Sequence, residues 1–182
     1  MNRFLLILVL LACVNPVLAQ QTTYSVNTDK SVITYDAKHP FHAWTGVNEN
    51  VLGLAVVNHK TNAIEKLALM VKVSEFDSKN ANRDAHSLEV LEALSFPTVK
   101  FYATDIDLKS KVSKLKGELI FHGITKEIEV EIQINKKSNS IELKGNFALK
   151  PSVFEIELPS LLGISISDGL EIHYEVVLEE KK

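Results

Sequence analysis

Residues 127–134 read Glu-Ile-Glu-Val-Glu-Ile-Gln-Ile, with a polar side chain at every odd position and a β-branched apolar one at every even position. Successive side chains of a β-strand point to opposite faces of the sheet, so this stretch predicts a strand with one apolar and one solvated face. The regular alternation also makes Glu127, Glu129 and Glu131 members of a solvated face rather than paired catalytic acids.

The same period of two extends in both directions along the chain. Further strands are predicted at 31–38, 51–58, 63–73, 99–108, 115–121, 141–149 and 170–178. Short polar links, such as residues 136–139, join them as in an antiparallel meander. The predicted fold class is therefore all-β, with about eight antiparallel strands.

Eight strands with one apolar face close either as a sandwich or as an up-and-down barrel, and closure removes exposed strand edges. A barrel of about eight strands has an interior that side chains fill or that holds one small ligand. The inward positions are mostly Val, Ile, Leu and Phe, so any ligand inside should be apolar.

One segment departs from the period of two. Leu88, Leu91 and Leu94 recur every third residue between residues 84 and 94, which predicts a short amphipathic helix. Asn82 or Asp84 is a suitable cap for its start. Pro97 disfavours helical geometry at Phe96 and so ends the helix.

The first nineteen residues have the pattern of a secretory signal peptide: Arg3, an apolar run at 4–12 and a Val-Leu-Ala site ending at Ala19. We therefore expect residues 1–19 to be removed and residues 20–182 to form one domain in the periplasm or outside the cell. The apolar run is too short for a permanent membrane span. Lipidation of Cys13, with anchoring of the protein, is the alternative.

Composition and motifs exclude several classes of function. Lys+Arg 20 against Asp+Glu 23 gives a net charge of −3, which disfavours nucleic acid as a partner. No catalytic set or phosphate-binding loop is recognisable. His39 and His42 form the tightest histidine pair, but Pro40 separates them, and no metal or other cofactor is predicted. Residues 109, 111, 114 and 116 are all lysine. This cluster is interpreted either as a solvated strand edge or as a contact for anionic lipid head groups.

Four motifs follow one another along the chain: Tyr24-Ser25-Val26-Asn27 with residues 31–35, Asn82-Arg83-Asp84-Ala85-His86, Phe96-Pro97-Thr98-Val99-Lys100-Phe101, and residues 117–126 with their His122-Gly123-Ile124-Thr125-Lys126 turn. In this order they resemble the YceI-like family of exported lipid- or polyisoprenoid-binding proteins. The resemblance implies a lipocalin-like extended barrel with one short helix, holding a long isoprenoid or fatty chain. The segment 39–46 diverges from the family pattern, which marks a divergent branch.

The candidate ligand-binding residues follow from the resemblance and from this divergent segment: Phe41, Trp44, Arg83, Asp84, His86, Leu88 and Phe121. Phe41 and Trp44 either line the mouth of the cavity or plug one end of the barrel as core. A homodimer is compatible with the sequence.

The leading hypothesis is an exported, non-enzymatic protein that holds an isoprenoid or similar long-chain lipid. Two alternatives remain open at this point. One is a metal- or haem-associated periplasmic protein that uses His39, His42 and His86. The other is a filled barrel that acts through protein contacts and has no continuous internal void.

Overall fold

A computed structural model describes residues 21–161 and 163–181. The predicted leader, with Cys13, lies outside the described residues. The elements are β1 Gln21–Val26, β2 Val32–His39, β3 His42–Asn48, β4 Leu52–Asn58, β5 Ala63–Lys72, α1 Ala81–Val90, β6 Thr98–Asp107, β7 Val112–Phe121, β8 Ile124–Lys136, β9 Ser140–Leu149, β10 Ser160–Leu161, β11 Ile164–Ser165 and β12 Leu170–Glu180.

The long strands close into an antiparallel barrel. β1 and β2 lie end to end along one edge of β12, and β3 and β4 lie end to end beside them, so each pair acts as one long strand. Counted in this way, the barrel has eight strands, and the pairing of β12 with β1 closes it. The predicted all-β barrel of about eight strands is confirmed, although β1 and β3 were not predicted as strands.

Two buried polar side chains lie where these long strands are broken. Ser31 follows a single 3-10 turn, donates its hydroxyl to the carbonyl of Asn27 and accepts the N–H of Val177. Asn48 is fully buried, donates to the Lys72 carbonyl at 3.1 Å and accepts the N–H of Asn50 at 2.8 Å. These bonds satisfy backbone groups that the interrupted strand ladders leave free.

The lower end of the barrel, where β4 turns into β5, has a solid core. Tyr24, Val57, Ile64, Ile141 and Leu178 are each at most 2% exposed there. β8 shows why: Val130, Ile132 and Ile134 are buried, while the residues between them are exposed, as the alternation in 127–134 predicts.

At the upper end, where β5 leaves the sheet, a second apolar cluster around Phe121 and Phe154 packs beneath three covering segments. They are α1, the excursion 150–169 that contains the small β10–β11 hairpin, and the tight turn between β7 and β8. In that turn His122 and Gly123 both have positive φ, 50° and 73°, as the two central residues of a type I′ β-hairpin turn require.

The helix differs from its predicted bounds of 84–94. It begins at Ala81, because the Asn80 side chain accepts the N–H of Arg83 and caps it; neither Asn82 nor Asp84 is the cap. It ends at Val90, since Glu92 adopts a left-handed φ of 45° and the chain reverses. Leu94 therefore lies outside the helix and is fully exposed. No helix in the described part of the chain is long and apolar enough to cross a bilayer.

Candidate functional site

Between the solid lower core and the covered upper end lies a cavity of about 750 Å³. All eight strands of the ring contribute to its wall, mostly with apolar side chains such as Ile33, Leu69, Phe101, Ile128, Phe147 and Ile172. This volume lies within the range of roughly 300–1,000 Å³ that is typical of small-molecule sites. The filled interior that one alternative required is not what the structure has.

Glycines at inward positions of the strands make room for aromatic rings across the cavity wall. Gly46 lies opposite Tyr35 and Gly145 lies opposite Tyr174 in the strand pairing. A Cβ atom at Gly46 would overlap the Tyr35 ring, and one at Gly145 would overlap the Tyr174 hydroxyl. Both rings therefore lie flat against the neighbouring strand, and both border the cavity.

The two tyrosines bring hydroxyl groups to the wall of the cavity. Burial raises the pKa of Tyr174 to about 12, and its hydroxyl donates to the Glu131 carbonyl at 3.3 Å. Burial also raises the pKa of Tyr35, so both phenols are protonated and neutral at physiological pH. The middle of the cavity therefore carries hydroxyl groups but no charge from these residues.

Two adjacent charged groups at the upper end of the cavity lie on α1. Arg83 donates from Nε to the Ser78 hydroxyl at 2.8 Å and from Nη2 to the Ser78 carbonyl at 2.6 Å. Asp84 accepts from both the hydroxyl and the N–H of Ser78. The adjacent opposite charges are therefore fixed to one residue, and they fasten the start of α1 to the segment that leads into it.

Trp44 joins β3 to this end of the cavity. The Arg83 guanidinium lies over its ring, 5.3 Å from the centroid. Its indole Nε1 is shielded from solvent and faces the Tyr35 hydroxyl without good hydrogen-bond geometry. This N–H is therefore poorly satisfied within the described residues, and it suits an acceptor atom of a molecule in the cavity.

The histidines do not converge on a metal site. His39 is buried, and both ring nitrogens are engaged: Nδ1 accepts the N–H of Phe41 and Nε2 lies 3.1 Å from the Ile164 carbonyl. His86 is exposed and lies 3.4 Å from Glu89. Within residues 21–161 and 163–181, no group of three His, Cys, Asp or Glu side chains is placed to hold a metal ion.

The structure brings five of the seven candidate residues together at the cavity: Trp44, Arg83, Asp84, His86 and Phe121. The other two lie elsewhere. Phe41 is at the tip of the β2–β3 hairpin with 63% of its surface exposed, and Leu88 packs into the apolar cluster beneath α1 without bordering the cavity. Phe41 is therefore neither a cavity residue nor part of the core.

Sequence reasoning missed Tyr35, Phe101 and Tyr174 as cavity residues. The available signal was the pair Gly117 and Gly145, which stand at apolar-face positions of otherwise bulky strands. A glycine there leaves space for a ring from the next strand: Phe101 occupies the space at Gly117 and Tyr174 that at Gly145. Leu158, Pro159 and Ile166 also border the cavity at its upper end, and no hydropathy period in the sequence predicts this position.

Comparison with known proteins places this barrel in a family. The model of the YceI-like domain matches residues 24–178. The chain belongs to the YceI-like family. A UPF0312 protein of Yersinia enterocolitica is 26% identical over 129 residues, which cover 65% of this chain and 67% of that relative.

Solved structures show the same YceI-like fold at low sequence identity. Burkholderia cenocepacia BcnA has a TM-score of 0.73 at 15% identity, over 84% of this chain and 98% of its own. A polyisoprenoid binding domain from Saccharophagus degradans, implicated in plant cell wall breakdown, has a TM-score of 0.74 at 12% identity, over 88% and 99% of the two chains. Campylobacter jejuni YceI protein has a TM-score of 0.62 at 20% identity, over 75% and 84%.

Proposed function

We propose that this protein is a non-enzymatic carrier that holds one long-chain lipid, an isoprenoid or a similar fatty chain, in the barrel. The observation that carries the proposal is the apolar cavity of about 750 Å³ above a solid core. The description of the Saccharophagus degradans domain as polyisoprenoid binding supports the same class of ligand.

The wall chemistry favours a chain over a compact polar metabolite. Each buried CH₂ group contributes about 0.8 kcal/mol of transfer free energy, so a chain of ten or more carbons gains substantial affinity without polar contacts. The few polar groups are concentrated at the upper end around Trp44 and Arg83. An amphiphile with its tail in the apolar part and its head near Trp44 matches this division.

We also propose that the carrier works outside the cytoplasm. The support is the signal-peptide pattern of residues 1–19, with an apolar run too short for a permanent span. Isoprenoid and fatty chains have very low solubility in water, and a compartment between membranes is one in which a carrier for them is useful.

The direct test is extraction of lipid from protein purified from its own host, followed by mass spectrometry. We expect one dominant class of long-chain lipid, bound one per chain. Ile128→Trp places a bulky ring in the cavity, whereas Glu127→Trp changes the adjacent, outward-facing residue on the same strand. Loss of lipid from the Ile128→Trp protein alone supports the proposal, and repeated isolation of empty wild-type protein would overturn it.

A further inference from the structure

The barrel wall contains a seam where two neighbouring strands are not paired. Pairing between β6 and β7 covers Lys100–Ala103 with Gly117–Ile120 and stops there. β6 continues to Asp107, and β7 starts at Val112, so the lower half of each strand runs beside the other without a ladder. β5 with β6, and β7 with β8, remain paired along these same stretches.

The cause of the seam is the backbone of β6. Asp105 adopts a left-handed φ of 56°, which L-residues rarely do within a strand and which bends the chain. On either side of it β6 keeps its pairing with β5, through Lys66 with Thr104 and Ile64 with Ile106. β6 therefore follows β5 and separates from β7 at this point.

A cleft of about 340 Å³ opens on the outer surface along the seam. Its rim carries charged side chains, and its floor consists of Ile106 and Leu115. Leu115 also borders the internal cavity at its deep end, and it is only 5% exposed. Leu115 is thus the residue that the outer cleft and the ligand cavity share.

We propose that this seam is a lateral entrance, through which an alkyl or isoprenoid chain enters and leaves the cavity when the Leu115 side chain moves aside. The proposal rests on the lipid-carrier function proposed above. It assigns a passage through the strand wall to the β6–β7 seam.

Within the strand wall, the energetics favour the seam. Separation of paired strands elsewhere in the ring breaks backbone hydrogen bonds, at about 1 kcal/mol net for each bond. At the seam no strand pairing has to be broken, and a rotation of one leucine side chain is a fast motion.

A matched pair of truncations tests the entrance. Leu115→Ala removes the closing side chain, and Leu119→Ala removes the same group from the same strand and cavity wall, where β6 and β7 are paired through Phe101. Uptake and release of parinaric acid, a fluorescent fatty acid, are measured by stopped flow. We expect Leu115→Ala to raise both rate constants about tenfold, equivalent to about 1.4 kcal/mol of barrier. Equal acceleration by the two variants would overturn the inference.

A disulfide across the seam provides a test that does not depend on core truncation. Thr104→Cys with Lys116→Cys, in a Cys13→Ser background, joins two exposed residues next to the last paired positions, Ala103 and Gly117. The control bridge is Glu118→Cys with Glu127→Cys, between strands that are already paired. We expect oxidation of the seam bridge alone to slow exchange at least several-fold, and reduction to restore it.

The outcomes separate the two proposals. Unchanged exchange in the oxidised seam variant, with normal binding, overturns the entrance and leaves the carrier function standing. No uptake of parinaric acid or of host lipid by wild-type protein overturns the carrier function and the entrance with it.

Discussion

The guanidinium of Arg83, on α1, lies 5.3 Å from the centre of the Trp44 ring, on β3. This contact links the helix to a part of the barrel where, among residues 21–161 and 163–181, β3 pairs only with β2 and through a single bridge from Val47 to Asp77. The ring and the cation together close the gap between β3 and α1, and the same ring borders the ligand cavity. The Trp44 side chain therefore both stabilises the upper end and lies where a ligand would contact it.

Arg83→Met is expected to lower the free energy of unfolding by about 1.5–3 kcal/mol, because charged hydrogen bonds to Ser78 and the packing on Trp44 are lost. Arg83→Lys keeps the charge but not the planar fork, so an intermediate loss is expected. Urea denaturation followed by circular dichroism measures both. Lys72→Met is the control, since its exposed pair with Glu75 is worth less than about 1 kcal/mol. A loss as small as that of the control would contradict the role of Arg83.

Trp44 is the only tryptophan in the chain, which makes its fluorescence specific for the cavity. A fatty acid brominated on its chain is expected to quench this emission on binding, while the unbrominated parent changes it without comparable quenching. Phe41, on the hairpin tip, gives the matched position: in a Phe41→Trp, Trp44→Phe protein the reporter is outside the cavity, and quenching should be much weaker. Similar quenching in both proteins would place the ligand elsewhere.

Gly46→Ala is expected to destabilise the fold by about 1–3 kcal/mol, because the new methyl group overlaps the Tyr35 ring. The three atoms nearest to such a methyl all belong to Tyr35, so removal of the ring in Tyr35→Leu should relieve much of the cost. Thermal unfolding of the two single variants and of the double variant measures this coupling. Gly169→Ala, where the only neighbour within 4 Å is the Ser167 hydroxyl at 3.8 Å, should be almost neutral.

Alkaline pH is expected to weaken the fold through Tyr174. Its pKa of about 12 is raised above the unfolded value near 10 by burial, so the unfolded state releases the proton first. The associated stability is present below pH 10 and is lost as the pH rises toward about 12. The near-ultraviolet absorbance of phenolate follows this step, which Tyr174→Phe should remove. If the absorbance step at the highest pH persists in the Tyr174→Phe protein, another tyrosine is responsible for it.

The amino terminus of the exported protein is expected to be Gln20, after cleavage at Ala19. Intact-mass analysis of protein from the periplasm or the culture medium checks this. A mature chain that starts at an acylated Cys13 would instead show membrane anchoring. Cys13→Ser separates the two routes, because it abolishes lipidation and leaves cleavage at Ala19 unaffected.

The sequence predicted the long strands well for a physical reason. Strands such as β8 have one face in the core and one in water, so apolar and polar residues alternate along their sequence. β3 was missed because its hydropathy does not follow its burial. The apolar Ala43 is exposed, whereas Gly46 and Asn48 are buried. β1 is short and begins at Gln21, immediately after the predicted leader.

The site was less accessible to sequence reasoning than the fold. The Arg83-Asp84 motif lies at the cavity because both residues at the start of α1 face it, and their contact with a ligand stays a prediction. Phe41 was misplaced, since an aromatic residue beside Trp44 in sequence points away from it when Pro40 and Phe41 form a hairpin tip. The seam at Asp105 has no sequence signal, because it depends on a single backbone angle.

The separation of a solid lower core from a hollow upper half has a consequence for variation in this protein. Residues such as Ile64 and Ile141 are packed on all sides, so a smaller side chain there leaves a void and lowers stability by several kcal/mol. A cavity residue such as Ile128 already lacks neighbours on one side, and its truncation forfeits fewer contacts. The upper half is thus the region in which a substitution alters which molecule fits before it threatens folding, and a search for variants with new cargo should begin there.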